Sequence, residues 1–344
     1  MKTMFVSATA LIIAVAAGTA AYAQQGGDVP PPWAYGFLTP PPATAPQPAG
    51  APPAPPPPPD NVTKLTVPGS QLTFTRAQLA NRFGPADWFP QDHGPMPEIV
   101  ARGKEGQNVF ACSLCHYPNG RGRPENAPVA SLPYEYIVQQ LKDFKAGLRK
   151  TSDPRKNNTG AMTNFAKNMT DEEIEQSARY FSSIPTTTWV QVVESPTAPK
   201  VRPQAQLFIP LEGAEAGIEP IGNRIVEVPQ NTRDAEFLRN SRTGFLAYVP
   251  PGSLKKGQAL VNDGVTASGA KITACTVCHG ADLRGIGQAP PIAGRSPSYI
   301  ARQLYDMQHG NRSGPWAMLM IPVVTKMGPE DLLNSSAYVG SLPQ

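Results

Sequence analysis

All four cysteines of this 344-residue chain fall in two copies of one pattern, Cys112-Ser113-Leu114-Cys115-His116 and Cys275-Thr276-Val277-Cys278-His279. Two thiols separated by two residues can reach two vinyl groups on one edge of a porphyrin. The following imidazole is then turned beneath the ring, toward its iron. Covalent attachment of two c-type haems is therefore the predicted chemistry. Cys-x-x-Cys also serves redox dithiols and half-zinc sites. Here each pair is followed by His, no third pair exists, and the N-terminus looks exported, which favours haem over zinc, a dithiol or a disulfide.

A haem iron held only by His116 or His279 has a second open face, and what fills that face separates electron transfer from ligand binding or catalysis. Met162 lies 47 residues after Cys115, shortly ahead of Thr170-Asp171-Glu172-Glu173-Ile174. Met320 occupies the same place ahead of Gly328-Pro329-Glu330-Asp331-Leu332. Both read as loop methionines suited to axial thioether ligation, with Met318 the rival in the second copy. Met169 and Met327, at apolar positions just before the helix caps, read as core fillers. The metal ligands expected are thus His116, Met162, His279 and Met320. A thioether raises the reduction potential relative to a second imidazole. The remaining histidines, His93 and His309, are expected at the surface.

The elements that must position these groups occur twice. Tyr136-Ile137-Val138-Gln139-Gln140-Leu141 matches Tyr299-Ile300-Ala301-Arg302-Gln303-Leu304 at the offset of 163 that relates Cys112 to Cys275, and Met162 to Tyr180 matches Met320 to Tyr338 at 158. Each copy predicts a helix before the motif, the motif's own helix, one after it and one at the end. Helices from Tyr136 and from Tyr299 bury Ile137, Leu141 and Phe144, and Ile300, Leu304 and Met307. Thr170 with Glu173 forms a capping box, Ser253 is placed to cap the helix that follows it, and Gly328-Pro329 starts the last one.

Around these copies lie three other segments. Lys2 and the apolar run Met4 to Ala20, closing on Ala21-Tyr22-Ala23, read as a signal peptide over 1–23, with an uncleaved anchor as the competitor. Residues 24–60 are dominated by proline and are expected to form a disordered polyproline II tether of about 3.1 Å per residue. Residues 186–249, with Trp189 to Val193 and Arg224 to Val228 as alternating runs, suit short strands. The expected fold is mainly α: one haem domain over 61–185 and a second over 250–344, joined by that irregular or short-β segment.

The paired Cys-x-x-Cys-His motifs and paired methionines resemble class I cytochromes c, in particular dihaem cytochromes of the c-four kind. The second copy is the closer, through Cys278-His279-Gly280, Pro290-Pro291-Ile292-Ala293-Gly294 and Tyr299-Ile300. Pro290 matches the proline that packs on the histidine side of the haem, whereas the first copy has Ala127 there and Ser131 in place of Gly294. The resemblance implies two closely packed domains with haems near enough for fast transfer between them.

The formal charge of +4 gives no case for nucleic-acid binding. Lys142, Lys145, Arg149, Lys150, Arg155 and Lys156 cluster before Met162, as a basic rim for an acidic partner or as a solvated helix face. The function implied is non-enzymatic. A periplasmic dihaem carrier would take electrons from a dehydrogenase or membrane quinol-oxidising complex and pass them to an oxidase or small cytochrome. A dihaem peroxidase-type enzyme and a subunit tethered to a dehydrogenase are the alternatives.

Overall fold

A computed structural model describes residues 29–42 and 59–344. The expected signal peptide and the proline run from Pro55 to Pro58 lie outside the described residues. In chain order the helices are α1 (Pro32–Tyr35), α2 (Arg76–Leu79), α3 (Glu98–Ala101), α4 (Cys112–His116), α5 (Tyr134–Lys145), α6 (Asn157–Asn168) and α7 (Asp171–Ser183). Strands β1 (Val190–Glu194), β2 (Thr197–Pro199), β3 (Val201–Gln204), β4 (Leu207–Pro210), β5 (Ile218–Pro220), β6 (Val226–Pro229) and β7 (Phe245–Val249) follow. The chain closes with α8 (Ser253–Asp263), α9 (Cys275–His279), α10 (Pro297–Gln308), α11 (Ile321–Val324) and α12 (Pro329–Ser341). Among the described residues no helix is long and apolar enough to cross a membrane.

The two helical runs repeat in detail. Ile137, Leu141 and Phe144 on α5 and Ile300 and Met307 on α10 are buried, with Leu304 partly buried against the same core. Thr170 and Glu173 close a reciprocal capping box on α7, at 3.2 and 2.7 Å. At α12 the Gly328 amide donates to Asp331 at 2.8 Å. Ser253 does not cap α8. It is the first helical residue after Gly252, and the Glu194 carboxylate of β1 accepts the Leu254 amide instead, at 2.8 Å. A charged acceptor brought in from a strand satisfies the orphan amide as well as a local hydroxyl would.

Between the helical runs the expected strands form a sheet of order β1-β7-β6. Val190 lies opposite Phe245 in parallel and Val226 opposite Tyr248 in antiparallel register. β3 and β4 are joined by Ala205 and Gln206, both at positive φ, the backbone of a tight two-residue hairpin. Glu227 on β6 is 2 % exposed and takes the Ser296 and Ser298 hydroxyls at 2.8 and 2.6 Å, fixing the start of α10 against the sheet.

The N-terminal segment overturns the expectation of a free tether. Trp33, Ala34 and Tyr35 are buried in the largest apolar core, together with β4, β6, β7 and α10. The Tyr35 hydroxyl donates to Asp306 at 2.7 Å, Arg302 donates to the Ala34 carbonyl at 2.6 Å, and Arg155 stacks 4.0 Å over Phe37. Proline removes donors but does not prevent burial when aromatic neighbours supply apolar area. Gly36, at φ +82°, ends α1 hard against the Gln206 carbonyl, where a Cβ would collide.

Two outcomes follow from these contacts. Gly36→Ala combines a left-handed backbone with a steric clash and is expected to lower unfolding free energy by about 1–3 kcal/mol, read from a urea midpoint. Burial raises the Glu227 pKa, although the two serine hydroxyls oppose it. The folded state therefore holds that proton more tightly than the unfolded chain, and stability falls as pH rises from the ordinary glutamate value toward the raised one. Glu227→Gln should abolish that loss in urea titrations run across the same pH window.

Candidate functional site

Each Cys-x-x-Cys-His helix opens onto a cavity of its own. The first, of about 340 Å³, is lined by Cys112, Cys115, His116 and Met162; the second, also about 340 Å³, by Cys275, Cys278, His279 and Met320. All eight sequence-predicted residues thus face the two cavities in sets of four. Met318 does not line the second cavity and is 54 % exposed, pointing away. Met320 sits between a short 3₁₀ turn and α11, as a loop residue would, whereas Met162 lies within α6 and not in a loop. Asn157 to Asn168 contains no proline, and the run closes one helical path that places Met162 and Phe165 on the cavity side. Met169 and Met327 are buried core residues, 4 and 5 % exposed, at the cavity edges.

The two imidazoles are held alike. His116 Nδ1 lies 2.8 Å from the Ala127 carbonyl and His279 Nδ1 lies 2.8 Å from the Pro290 carbonyl. A carbonyl only accepts, so Nδ1 carries the proton and Nε2 keeps its lone pair for a metal. Burial pulls both histidines below their ordinary pKa, which favours the neutral ligand form. Ala127 therefore replaces Pro290 without loss of this bond, because the main chain supplies the acceptor. Ser131 likewise takes φ +59° where Gly294 takes +66°. The amides of these two residues donate to Phe181 and Val339 at 3.0 and 2.9 Å. Burial pushes the Cys112 thiol up to about 12 and Cys275 to about 11, so neither is primed as a thiolate.

Comparison with known proteins bears on the same residues. The Cytochrome c family model matches residues 103–185. Cytochrome c-554(548) of Halomonas halodenitrificans is 34 % identical over 72 residues, which cover 21 % of this chain and 87 % of that protein. The chain belongs to the cytochrome c family. It is also similar to cytochrome c4 of Stutzerimonas stutzeri, 29 % identical over 43 % of this chain and 78 % of that one. A third relative, the thiosulfate dehydrogenase electron acceptor of Stutzerimonas stutzeri (strain A1501), is 33 % identical over 25 % of this chain and 38 % of its own length.

The cofactor of this cytochrome is haem c, bound covalently in two copies. The residues present fit it: each cavity offers two thiols, one imidazole with a free Nε2 and one thioether, in a lining that is mostly apolar around them and carries charged and amide side chains at one side. The second cavity is also open at its edge. Cys278 and Leu319 line it, and Leu319, Met318 and Val277 are 77, 54 and 65 % exposed.

The two cavities of the cytochrome share a wall. Leu132, Tyr136, Gln140, Tyr299 and Gln303 line both. At its centre Arg149 and Arg312, equivalent residues of the repeat, face each other across a short antiparallel bridge. Arg149 donates to Gln140 at 2.9 Å and Gln303 at 2.8 Å; Arg312 donates to the same two oxygens at 2.8 and 3.1 Å. Each guanidinium also reaches the other half's tyrosine, Arg149 to Tyr299 and Arg312 to Tyr136, both at 3.3 Å. Burial alone would push the Tyr299 phenol up, but Arg149 and Arg312 outweigh it and hold it below its ordinary value. Tyr136, Gln140 and Arg149 recur as Tyr299, Gln303 and Arg312 at one offset, and that repetition of polar residues was the available sequence signal.

Two surface expectations fail here. The six basic residues do not make one exposed rim. Arg149 and Lys156 are buried at 9 and 2 %, Arg155 is tied to Asp153 at 2.6 Å, and Lys145 holds the Met169 carbonyl at 3.1 Å. His93 is not a surface residue: its side chain is 4 % exposed, with Nε2 2.9 Å from Asp87. Burial lowers its pKa, yet Asp87 and the Gly94 carbonyl reverse the sign and leave it raised. His309 is exposed and stacks on Tyr305 at 3.9 Å.

Because Arg149 and Arg312 share both glutamine acceptors, their removal should be non-additive. In a double-mutant cycle of Arg149→Ala and Arg312→Ala, a coupling of about 0.5–3 kcal/mol is expected from denaturant unfolding. A coupling near zero would mean that the shared wall does not act as a unit.

Proposed function

We propose that this cytochrome is an exported, periplasmic dihaem electron carrier, organised as haem domains over 61–185 and 250–344. In this reading Cys112, Cys115, Cys275 and Cys278 attach the two haems. His116 with Met162 and His279 with Met320 fill the axial positions. The observation that carries the reading is that one imidazole and one thioether, from equivalent places in the repeat, line each cavity. Bound haem iron supplies reversible one-electron exchange.

The chain's own residues do the rest. The carbonyls of Ala127 and Pro290 fix which imidazole nitrogen faces the cavity, and the apolar side chains around it give the macrocycle a hydrophobic seat. With His116 and Met162, and His279 and Met320, available to ligate the two irons, a substrate would find no metal position to occupy, which favours a carrier over a peroxidase-type enzyme. The shared wall supports transfer between the two sites within one molecule. The exposed apolar edge at Val277, Met318 and Leu319 gives a redox partner access to the second site. A relative described as an electron acceptor of a dehydrogenase supports a donor of that class. A membrane quinol-oxidising complex as donor and an oxidase or small cytochrome as acceptor fit the same chemistry.

Spectroelectrochemical titration of the wild type beside Met162→Ala and Met320→Ala tests this. Each substitution should remove the sulfur-to-iron absorption of one haem and lower that haem's potential, leaving the other unchanged. Ready binding of carbon monoxide or peroxide by the unmodified protein would overturn the carrier reading.

A further inference from the structure

Lys156 is the least expected residue around the first cavity. It is 2 % exposed, lines the cavity, and its ammonium has no hydrogen-bond partner among the described residues. A buried ammonium left without an acceptor costs several kcal/mol. The carboxylates near it are turned to other cations and donors, and none accepts from the ammonium. Asp153 is held by Arg155 at 2.6 Å, Asp306 accepts from Tyr35, the Ser152 amide and the Ser152 hydroxyl at 2.7–2.8 Å, and Glu125 pairs with Arg123 at 2.6 Å. The other cation beside Lys156, Arg302, spends its donors on the carbonyls of Ala34 and Pro124 and adds positive charge.

We propose that the Lys156 ammonium is the partner of a haem propionate carboxylate in the first cavity, and that it sets this haem apart electrically from the second. The proposal rests on the first cavity being a haem site. A propionate is the anion that such a site adds to the chain, and it arrives with acceptor oxygens free to reach Lys156, whereas the buried Glu125 carboxylate is ion-paired with Arg123 and makes no hydrogen bond to the ammonium. Without it, burial and Arg302 drive the amine well below its ordinary pKa. With it, the proton is retained.

The second cavity has no equivalent. The repeat shortens by five residues between Arg312 and Met320, so the two offsets set Gly314 or Leu319 where the first copy has Lys156. Its cations, Arg295 and Arg312, already donate to carbonyls and to the shared glutamine and tyrosine oxygens. A fixed positive charge beside one haem disfavours the ferric state there and raises that potential.

The test is a redox titration of the full-length holoprotein, comparing wild type with Lys156→Met and Lys156→Arg. Potentials are assigned to cavities through the Met162→Ala and Met320→Ala variants. Lys156→Met should shift the first haem's reduction equilibrium by about tenfold toward ferric, which is 59 mV for one electron, leave the second in place, and keep the sulfur-to-iron band. Lys156→Arg should restore most of the shift. An unmoved first potential with the band intact would overturn the Lys156 assignment alone. Absence of the first haem's band from the wild type would instead sink the Met162 ligation. If Lys156→Met fails to accumulate, Lys156→Gln carries the same comparison.

Discussion

Two buried guanidiniums placed face to face repel each other and demand acceptors that one repeat alone does not supply. Arg149 and Arg312 meet that demand only by exchanging partners: each draws on one glutamine from its own half and on a glutamine and a tyrosine from the other. Neither set is satisfied in isolation, so the two helical runs are bound to one relative placement. Arg295, buried in the second half, adds to this by reaching the Pro128 carbonyl of the first at 2.7 Å. The common wall of the cavities follows from this exchange.

The rest of the architecture serves that placement. A 64-residue connection, 186–249, would allow two domains to drift apart, but β1, β6 and β7 fold into a sheet whose Glu227 pins the start of α10. From there α10 runs past the second cavity, presents Tyr299 and Gln303 to both, and receives α1 through Arg302 and Asp306, which also line the first. In the second half α8 crosses α12 so closely at Gly257 that a Cβ would collide with the Asn334 carbonyl. One helix therefore links the sheet, both cavities and the N-terminal segment.

Local chemistry made the candidate site residues that line the two cavities legible in the sequence. Cys-x-x-Cys-His is a contiguous motif, Thr170 and Glu173 cap a helix within four residues, and a repeat points to Met162 and Met320 together. Choosing Met320 over Met318 needed the fold, because only the direction of the backbone at Ala317 to Leu319 decides which sulfur turns inward. Lys156 looked like one more member of a basic run, since nothing local shows that Arg302 and Asp306 come to lie beside it. His93 was hidden for the same reason, its burial resting on Asp87 and on the ring of Tyr180 at 6.0 Å. The aromatic residues Trp33, Tyr35 and Phe37 inside a proline-rich stretch were the overlooked sign that part of the arm is core.

The Tyr35 hydroxyl meets Asp306 across 271 positions of sequence, and this imposes an order on assembly. During synthesis the N-terminal segment emerges well before α10, which carries Arg302 and Asp306 and is among the last elements to appear. The core around those aromatic side chains therefore stays incomplete until α10 has formed. The segment then closes over the join like a latch, and a chain truncated before α10 lacks the Arg302 and Asp306 groups that fasten it.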